Sequence, residues 1–357
     1  MRVLQLIDSL RPGGAEKMAV NIANALLPHV EGSFLCCTRR EGMLKEEIKP
    51  EVGYLFLNKK SSLDPKAILK LRKYIQENKI EIVHAHSTSY FLAGLLKLSG
   101  SSFKLIWHDH YGESENLQER EYQILKKFSK LFAGIISVNT ALKGWTVNTL
   151  DFKNVIELKN FIPEPDHTST SKIQLKGNTN DFKIICVANF RPQKDHFNLL
   201  RAFEMLDSNL GISLHLVGED PGTEYSSSLL KAIENSTASN KIFYYGTQPE
   251  IISLLIQADL GVLSSSSEGL PLVLLEYGKA GLPVVCTNVG KCKGVINIYG
   301  IIVEKENPKM LYEGISAYLD DRVKMKKDAN LFQKEVEKNY SGKEVIKKYI
   351  NFLESDI

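Results

Sequence analysis

The 357-residue sequence has no apolar run that approaches the roughly 18 residues of a membrane-spanning helix. Its first residues, MRVLQLIDSL, lead straight into a strand-like run, too short for a signal peptide. The five cysteines follow no metal-type spacing and form no even-numbered disulfide framework. Most of them lie in apolar stretches such as IICVANF. We therefore expect buried thiols in a reducing compartment and a cytoplasmic protein.

A strong charge of either sign is also missing. The net charge of +3 gives no case for nucleic acid as a partner. The charge is uneven, because residues 1–162 hold 23 Lys+Arg against 17 Asp+Glu and the remainder holds 22 against 25. The basic first part fits an anionic membrane surface or an anionic substrate. A solvated lysine-rich face is the alternative.

A GxGxxG fingerprint is absent where a dinucleotide would need it, which argues against an NAD-dependent dehydrogenase. Instead, short apolar runs alternate with amphipathic helical patterns, as in parallel α/β sheets. The predicted strands are RVLQLI, SFLCCT, IVHAH, KLIWHDH, GIISV and VIELKNF in the first half, and FKIICVANF, SLHLVGE, KIFYYG, LGVLSS, PVVCT and GIIVE in the second.

The polar stretch between the two sets of strands predicts two domains. We expect an α/β protein with two Rossmann-like domains that face each other across a cleft. The predicted parts are an N-terminal domain over 1–162, a linker over 163–181, a C-terminal domain over 182–335 and a C-terminal helix over 336–357. A return of that helix to the N-terminal domain is one option. Its periodicity extends back to about Lys324 and ends near Leu353.

Two candidate sites follow strands of the first domain. Gly13 and Gly14 stand at the turn between the first strand and a helix, where a ligand can approach the backbone and the helix N-terminus favours an anion. A simple tight strand-to-helix turn is the alternative. His108 ends another strand, in WHDH, and can bind sugar hydroxyls or transfer a proton. His84 and His86 form a similar pair. A metal site therefore stays an alternative, although no further ligand stands at zinc spacing.

Two cations follow the first strand of the second domain. Arg191 and Lys194 lie in the loop of VANFRPQKD, before the next helix. Fixed cations at the carboxyl end of a parallel strand suit a diphosphate, because Arg191 can make forked contacts and Lys194 acts as a compact charge. A solvated basic loop is the alternative.

Two acids eight positions apart stand in SSSSEGLPLVLLEYGKA. Glu268 precedes a helix at a strand's carboxyl end, and Glu276 lies inside that helix. A carboxylate can accept hydrogen bonds from both hydroxyls of a vicinal diol such as ribose. Taken singly, Glu276 also fits an exposed helix position and Glu268 a helix-dipole partner.

Taken together, these residues resemble a retaining glycosyltransferase of the GT-B fold, in family four. The resemblance rests on EGLPLVLLE as the family's E-x7-E motif, on GGAE at 13–16, on the VANFRPQKD loop and on AGLPVV. It covers nearly the whole chain.

The resemblance implies a hexosyl- or N-acetylhexosaminyltransferase of class EC 2.4. Such an enzyme moves a sugar from a nucleotide-sugar, UDP- or GDP-linked, to a glycan or lipid-linked glycan in polysaccharide biosynthesis, without metal or cofactor. Peripheral contact with the inner face of the cell membrane is an option.

The resemblance also implies the site residues. Glu268, with Gly269 and Leu270, contacts the donor sugar, Glu276 holds the ribose, and Arg191 and Lys194 neutralise the diphosphate. Gly13 and Gly14 approach the donor, and His108 lies at the reacting centre. The rival hypotheses are a sugar-nucleotide epimerase of similar fold and a non-catalytic sugar-nucleotide-binding subunit.

Overall fold

The computed structural model describes residues 1–112, 117–161, 173–207, 209–248 and 251–355. The chain divides into two units by its internal contacts. Unit 1 consists of Met1–Pro163 and Gly342–Ile357, and unit 2 of Glu164–Ser341. Within the described ranges, no helix combines the length and the apolar character that crossing a bilayer demands.

Unit 1 contains a seven-stranded parallel sheet in the order β3-β2-β1-β4-β5-β6-β7. The middle strands are apolar on both faces because helices cover both sides, as in other doubly wound sheets. Its strands are β1 Arg2–Ser9, β2 Gly32–Arg40, β3 Gly53–Phe56, β4 Ile82–His86, β5 Lys104–Asp109, β6 Gly134–Ser137 and β7 Val155–Glu157.

Unit 2 contains a six-stranded parallel sheet in the order β10-β9-β8-β11-β12-β13. Both sheets therefore share one plan, in which the first and the fourth strand of the unit lie side by side at the centre. The order of the strands reverses there, and the carboxyl ends of the strands at such a switch point are where open α/β sheets bind ligands. The strands are β8 Phe182–Val187, β9 Ile212–Val217, β10 Ile242–Tyr244, β11 Leu260–Leu263, β12 Val284–Thr287 and β13 Ile301–Val303.

Amphipathic helices connect the strands and bury one apolar side against each sheet. In α2, for example, Ala67, Leu71 and Ile75 are buried at helical spacing, and the side chain of Asp64 caps the first turn. The helices are α1 Gly14–Leu26, α2 Pro65–Glu77, α3 Tyr90–Leu98, α4 Gln123–Ser129, α5 Thr140–Leu150, α6 His196–Glu204, α7 Glu224–Asn235, α8 Ile251–Leu255, α9 Leu272–Lys279, α10 Cys292–Ile296, α11 Pro308–Asp320, α12 Arg322–Asn339 and α13 Gly342–Glu354.

The α/β prediction with two parallel sheets is confirmed, and each of the twelve predicted strands overlaps an observed one. The short strand β3 was not predicted. All five cysteines are buried and free, as expected.

The prediction of one continuous helix from Lys324 to Leu353 is wrong. The turn-forming residues between α12 and α13 interrupt it, and the part that groups with unit 1 starts at Gly342 rather than at 336. Of the predicted linker, residues 163–172 lie outside the described ranges. The backbone N–H of Leu175, which follows them, donates to Gln257 of unit 2.

Candidate functional site

In unit 2, the two predicted cations and Glu268 stand on two loops that leave adjacent strands. Strands β8 and β11 pair directly, with Ile184 opposite Leu260. The loop after β8 carries Arg191 and Lys194, and the loop after β11 carries Glu268. Both loops therefore begin at the crevice of this sheet, where open α/β sheets bind ligands.

The loop after β8 is short and internally fixed. Asn189 accepts a hydrogen bond from the backbone N–H of Glu219 at 2.9 Å, and a turn of 3-10 helix covers Pro192–Lys194. Asp195 then adopts a left-handed backbone conformation (φ 45°) and caps α6 by accepting from the N–H of Asn198. Arg191 is exposed on this loop.

Lys194 and Glu268 form an ion pair across the two loops. Their Nζ and Oε1 atoms are 2.6 Å apart, and the Ser265 hydroxyl donates to the same carboxylate oxygen at 2.7 Å. The Glu268 side chain is only 8% exposed, whereas that of Lys194 is 23% exposed. The lysine side chain is therefore the more accessible member of the pair.

The backbone ties the two loops together. The N–H of Ser266 donates to the carbonyl of Gln193 at 2.9 Å, and the Ser264 hydroxyl donates to the carbonyl of Lys194 at 3.0 Å. Small hydroxyl residues at the end of β11 thus satisfy the carbonyls of the neighbouring loop. The ammonium and carboxylate groups are held in a fixed frame.

A third loop closes on Glu268 from the side of β12. Gly290 has φ 51°, and a Cβ atom there would lie 2.1 Å from the carbonyl oxygen of Glu268. Only glycine permits this approach. The N–H of Lys291 donates to the carbonyl of Gly269 at 3.0 Å, which fixes the residues just before α9.

Helix α9 carries Glu276 and is anchored beneath the sheet by Tyr277. The Tyr277 ring is fully buried, and its hydroxyl accepts from the N–H of Val187 at 3.0 Å. Gly261 makes room for the ring, because a Cβ atom there would lie 2.6 Å from it. Glu276, one position earlier, is half-buried. Leu270 is buried before the helix.

In unit 1, Gly13 and Gly14 stand where predicted, between β1 and α1. A Cβ atom on Gly14 would meet no atom within 4 Å, and one on Gly13 would meet only the flexible side chain of Glu16. The φ of Gly13 is −167°, which any residue adopts. Neither glycine is therefore required by the local fold, in contrast to Gly290.

Four histidines occupy one face of the central strands of unit 1. His84 and His86 point from β4 and His108 from β5, and all three are fully buried, while His110 follows β5 and is partly exposed. The ring of His108 stacks on His84 at 5.1 Å between centroids and lies 3.9 Å from that of His110. His86 hydrogen-bonds to His110 through Nδ1 at 3.0 Å.

Burial sets the protonation of this histidine cluster (His84, His86, His108 and His110). It lowers the pKa of His84, His86 and His108 well below the usual value, and the neighbouring imidazoles lower it further. The pKa of His110 falls to about 3 by burial. At neutral pH the rings are thus uncharged and each nitrogen is either a donor or an acceptor.

The cluster fits a hydrogen-bonded network better than a set of metal ligands. One nitrogen each of His84, His86 and His108 lies within 4.8 Å of the others. A tetrahedral zinc site needs nitrogens about 3.3 Å apart, since each Zn–N bond is about 2.0–2.1 Å. Both nitrogens of His86 already have partners, His110 and Gln5. A shared ion would have to break one of these bonds.

Asp109, next to His108, is held by an ion pair with Arg120. The two Arg120 Nη atoms lie 2.7 and 2.9 Å from the two carboxylate oxygens, and the guanidinium stacks 4.1 Å from the Trp145 ring. Both side chains are largely buried. Asp109 therefore fixes the chain after β5.

The structure thus brings together Lys194 and Glu268 in unit 2, and His108 with His84 and His86 in unit 1. Sequence reasoning missed Gln5 and Tyr349, which join the histidine cluster. Gln5 has a signal, since it is the polar residue within the apolar run RVLQLI. Tyr349 has none, because its partner His84 is 265 residues away.

Each unit matches a known protein-family model. Residues 12–159 match the family model described as Glycosyltransferase Family 4, and residues 168–337 match the model described as Glycosyl transferases group 1. Together the two matches extend over most of the chain.

Individual relatives and solved structures agree with this. UDP-Gal:alpha-D-GlcNAc-diphosphoundecaprenol alpha-1,3-galactosyltransferase of Escherichia coli is 22% identical over 320 residues, which cover 84% of this chain and 83% of the relative. N-acetyl-alpha-D-glucosaminyl L-malate synthase of Bacillus anthracis is 31% identical over 148 residues, 40% of this chain and 38% of the relative, so that match spans little more than a third of the relative's length. HepE of Anabaena, crystallised with UDP-glucose, has a TM-score of 0.81 at 17% identity, covering 99% of this chain and 100% of that one. The chain therefore belongs to the family-four glycosyltransferases and has their two-domain GT-B fold.

Proposed function

We propose that this glycosyltransferase moves a hexose or N-acetylhexosamine from a UDP- or GDP-sugar to a glycan or lipid-linked glycan, with retention of the anomeric configuration. The Lys194–Glu268 pair at the crevice of unit 2 is the observation that carries the proposal. A cation and a carboxylate fixed side by side suit a ligand that joins a diphosphate to a sugar. The galactosyltransferase relative supports such a donor and a lipid-linked acceptor by its name.

The donor would lie along the loops of unit 2. Lys194 and Arg191 would bind the diphosphate, Glu268 with Gly269 and Leu270 would contact the sugar, and Glu276 would accept hydrogen bonds from the ribose hydroxyls. Gly13 and Gly14 of unit 1 would leave room for the donor. His108 would contact the reacting sugar or the acceptor through a neutral imidazole.

Transfer breaks the bond between the sugar carbon and the diphosphate oxygen, which keeps the electron pair. The acceptor hydroxyl oxygen bonds to that carbon, and its proton leaves with the diphosphate or solvent. Fixed cations stabilise the charge that develops on the leaving group without having to reorganise. We propose that Lys194 and Arg191 supply this stabilisation and that no metal or cofactor is needed. Transfer in the presence of EDTA tests that part.

A thermal-shift screen with UDP-, GDP- and ADP-sugars tests the function. A donor at about 100 times its Kd should stabilise the native protein by about 2.7 kcal/mol. The stabilising donor is then incubated with lipid-linked acceptors and the product is analysed. Conversion of the donor without acceptor would show an epimerase instead. Binding without any turnover would show a non-catalytic subunit, and no shift with any donor would contradict the donor site.

We also propose cytoplasmic location with peripheral contact to an anionic membrane, through one side of unit 1. Helix α3 packs between α2 and α4. Leu69 on α2, Leu98 on α3 and Ile124 on α4 are each about 60% exposed or more, among exposed lysines of α2 and α4. Each lysine near such a surface contributes about 1 kcal/mol.

Co-sedimentation with vesicles tests the membrane contact. The wild-type protein should bind vesicles that contain phosphatidylserine and not neutral ones. A Leu69→Ser/Ile124→Ser variant should bind less, whereas Ile298→Ser/Val323→Ser, which removes two exposed apolar residues of unit 2, should bind normally. Equal binding of both variants would contradict this surface.

A further inference from the structure

Two residues from distant parts of the chain complete the histidine cluster. The Gln5 amide on β1 lies between His86 and Tyr349, with Oε1 2.9 Å from His86 Nε2 and Nε2 3.4 Å from the Tyr349 hydroxyl. That hydroxyl, on α13, lies 2.8 Å from His84 Nδ1. A continuous chain of hydrogen bonds therefore runs from His110 to His84.

The chemistry of each group fixes the direction of every hydrogen bond. An amide oxygen only accepts, so the neutral His86 carries its proton on Nε2 and accepts from His110 at Nδ1. An amide nitrogen only donates, so the Tyr349 oxygen accepts from Gln5. Among the described residues, the one other partner of this buried hydroxyl is His84 Nδ1, so its hydrogen is satisfied by donating there. His84 then carries its proton on Nε2.

One amide orientation thus sets the tautomers of three histidines. If the Gln5 amide were turned over, its nitrogen would donate to His86 and its oxygen would accept from Tyr349. Every proton along the chain would then reverse, and His84 and His86 would both carry the proton on Nδ1. The two arrangements give different, measurable proton positions.

His108 depends on these neighbours for its placement. Neither of its ring nitrogens has a hydrogen-bond partner in the described part of the chain, and the same is true of His84 Nε2. The ring is stacked on His84 with an angle of 10° between the planes. Rings that are themselves fixed by hydrogen bonds therefore hold His108, while no described protein group takes up either of its buried nitrogens.

We propose that Gln5 and Tyr349 are positioning residues for glycosyl transfer, which fix His84 and His86 as Nε2–H tautomers and so hold His108 in its reactive orientation. The kinetic part rests on the proposed function, whereas the tautomer part does not. The C-terminal helix α13 is in this way a component of the histidine cluster, through a single hydroxyl group.

Long-range ¹H–¹⁵N spectra of the full-length protein with labelled histidine test the tautomers. Single His→Gln variants assign the eight histidines. We expect Nε2–H signals for His84 and His86. Tyr349→Phe should change the pattern of His84, whereas Tyr318→Phe, which removes an equally buried hydroxyl bonded to Asp328 in unit 2, should not. Nδ1–H on both histidines, or an unchanged His84 in Tyr349→Phe, would overturn the proposal.

Kinetics test the positioning. Tyr349→Phe should lower kcat roughly tenfold, the value of about one hydrogen bond, and leave the donor KM unchanged. Gln5→Met, which interrupts the same chain of hydrogen bonds, should act similarly. Tyr318→Phe should match the wild type. A wild-type kcat in Tyr349→Phe would refute the positioning role. If the wild-type protein transfers no sugar at all, the proposed function fails, and the spectra still decide the tautomer assignment.

Discussion

Unit 1 should lose stability in mild acid because of its buried histidines. His84, His86 and His108 stay neutral in the folded protein, since burial lowers their pKa well below the usual 6.5. In the unfolded chain the same rings bind protons once the pH falls below 6.5. The unfolded state then binds more protons than the folded one, so stability is intact above pH 6.5 and falls as the pH falls.

The magnitude follows from this linkage. Between pH 7.5 and 5.5 each such histidine lowers the free energy of unfolding by about 1.4 kcal/mol, the value of one pH unit below the unfolded pKa. The three fully buried histidines together give about 4 kcal/mol. Because whole domains are stable by only about 5–15 kcal/mol, the change is large.

The tryptophans make the assay specific to this unit. The chain has two, and both Trp107 and Trp145 lie in unit 1. Urea unfolding followed by tryptophan fluorescence should therefore show a much lower midpoint at pH 5.5 than at pH 7.5. The same shift is expected in His29→Gln, which changes an exposed histidine. An unchanged midpoint would refute neutral burial of the cluster.

Three further predictions concern the donor loops and the ion pair beside the histidines. Glu276→Ala should weaken donor binding roughly 10–100-fold in calorimetry, since hydrogen bonds to a charged group contribute about 1.5–3 kcal/mol. Glu268→Ala should mainly lower kcat; equal effects of both on donor affinity would break the ribose assignment. Gly261→Ala should destabilise unit 2 by about 1–3 kcal/mol in calorimetric unfolding, because the new methyl group overlaps the buried Tyr277 ring; an unchanged transition would contradict the tight packing. Arg120→Ala should destabilise unit 1 by roughly 3–5 kcal/mol in tryptophan-monitored unfolding, because it leaves Asp109 buried and unpaired, and a loss below about 1 kcal/mol would show that water reaches the pair.

The sheet architecture could be predicted because buried parallel strands appear as short apolar runs between amphipathic helices. Strand β3 was missed since it has only four residues, all of them half-buried at the sheet edge. The break between α12 and α13 was missed because charged helical periodicity continues on both sides of it. The turn-forming residues at the break are a weak local signal, and each helix packs on its own unit.

The site residues that directly follow strand ends could be predicted from the sequence. Loops after adjacent parallel strands begin at the same edge of the sheet, so Lys194 and Glu268 could be placed on that edge from the sequence. Their direct ion pair could not, because it depends on side-chain rotamers. Tyr349 could not be placed either, since no local pattern indicates where the last helix packs.

The first and fourth strands of the two units lead to residues of different charge. In unit 2, the loops after its first and fourth strands carry the ion pair of Lys194 and Glu268. In unit 1, the equivalent strands carry Gln5 and His86, which are buried and uncharged. Proton uptake is not confined to unit 1, since burial also lowers the pKa of His196 to about 3 and that of His215 to about 4 in unit 2. Unit 1 holds the larger number of such histidines, so acid should weaken it more than unit 2. A donor-induced thermal shift that persists at a pH where tryptophan fluorescence already reports a weakened unit 1 would show that the donor loops of unit 2 outlast the histidine cluster.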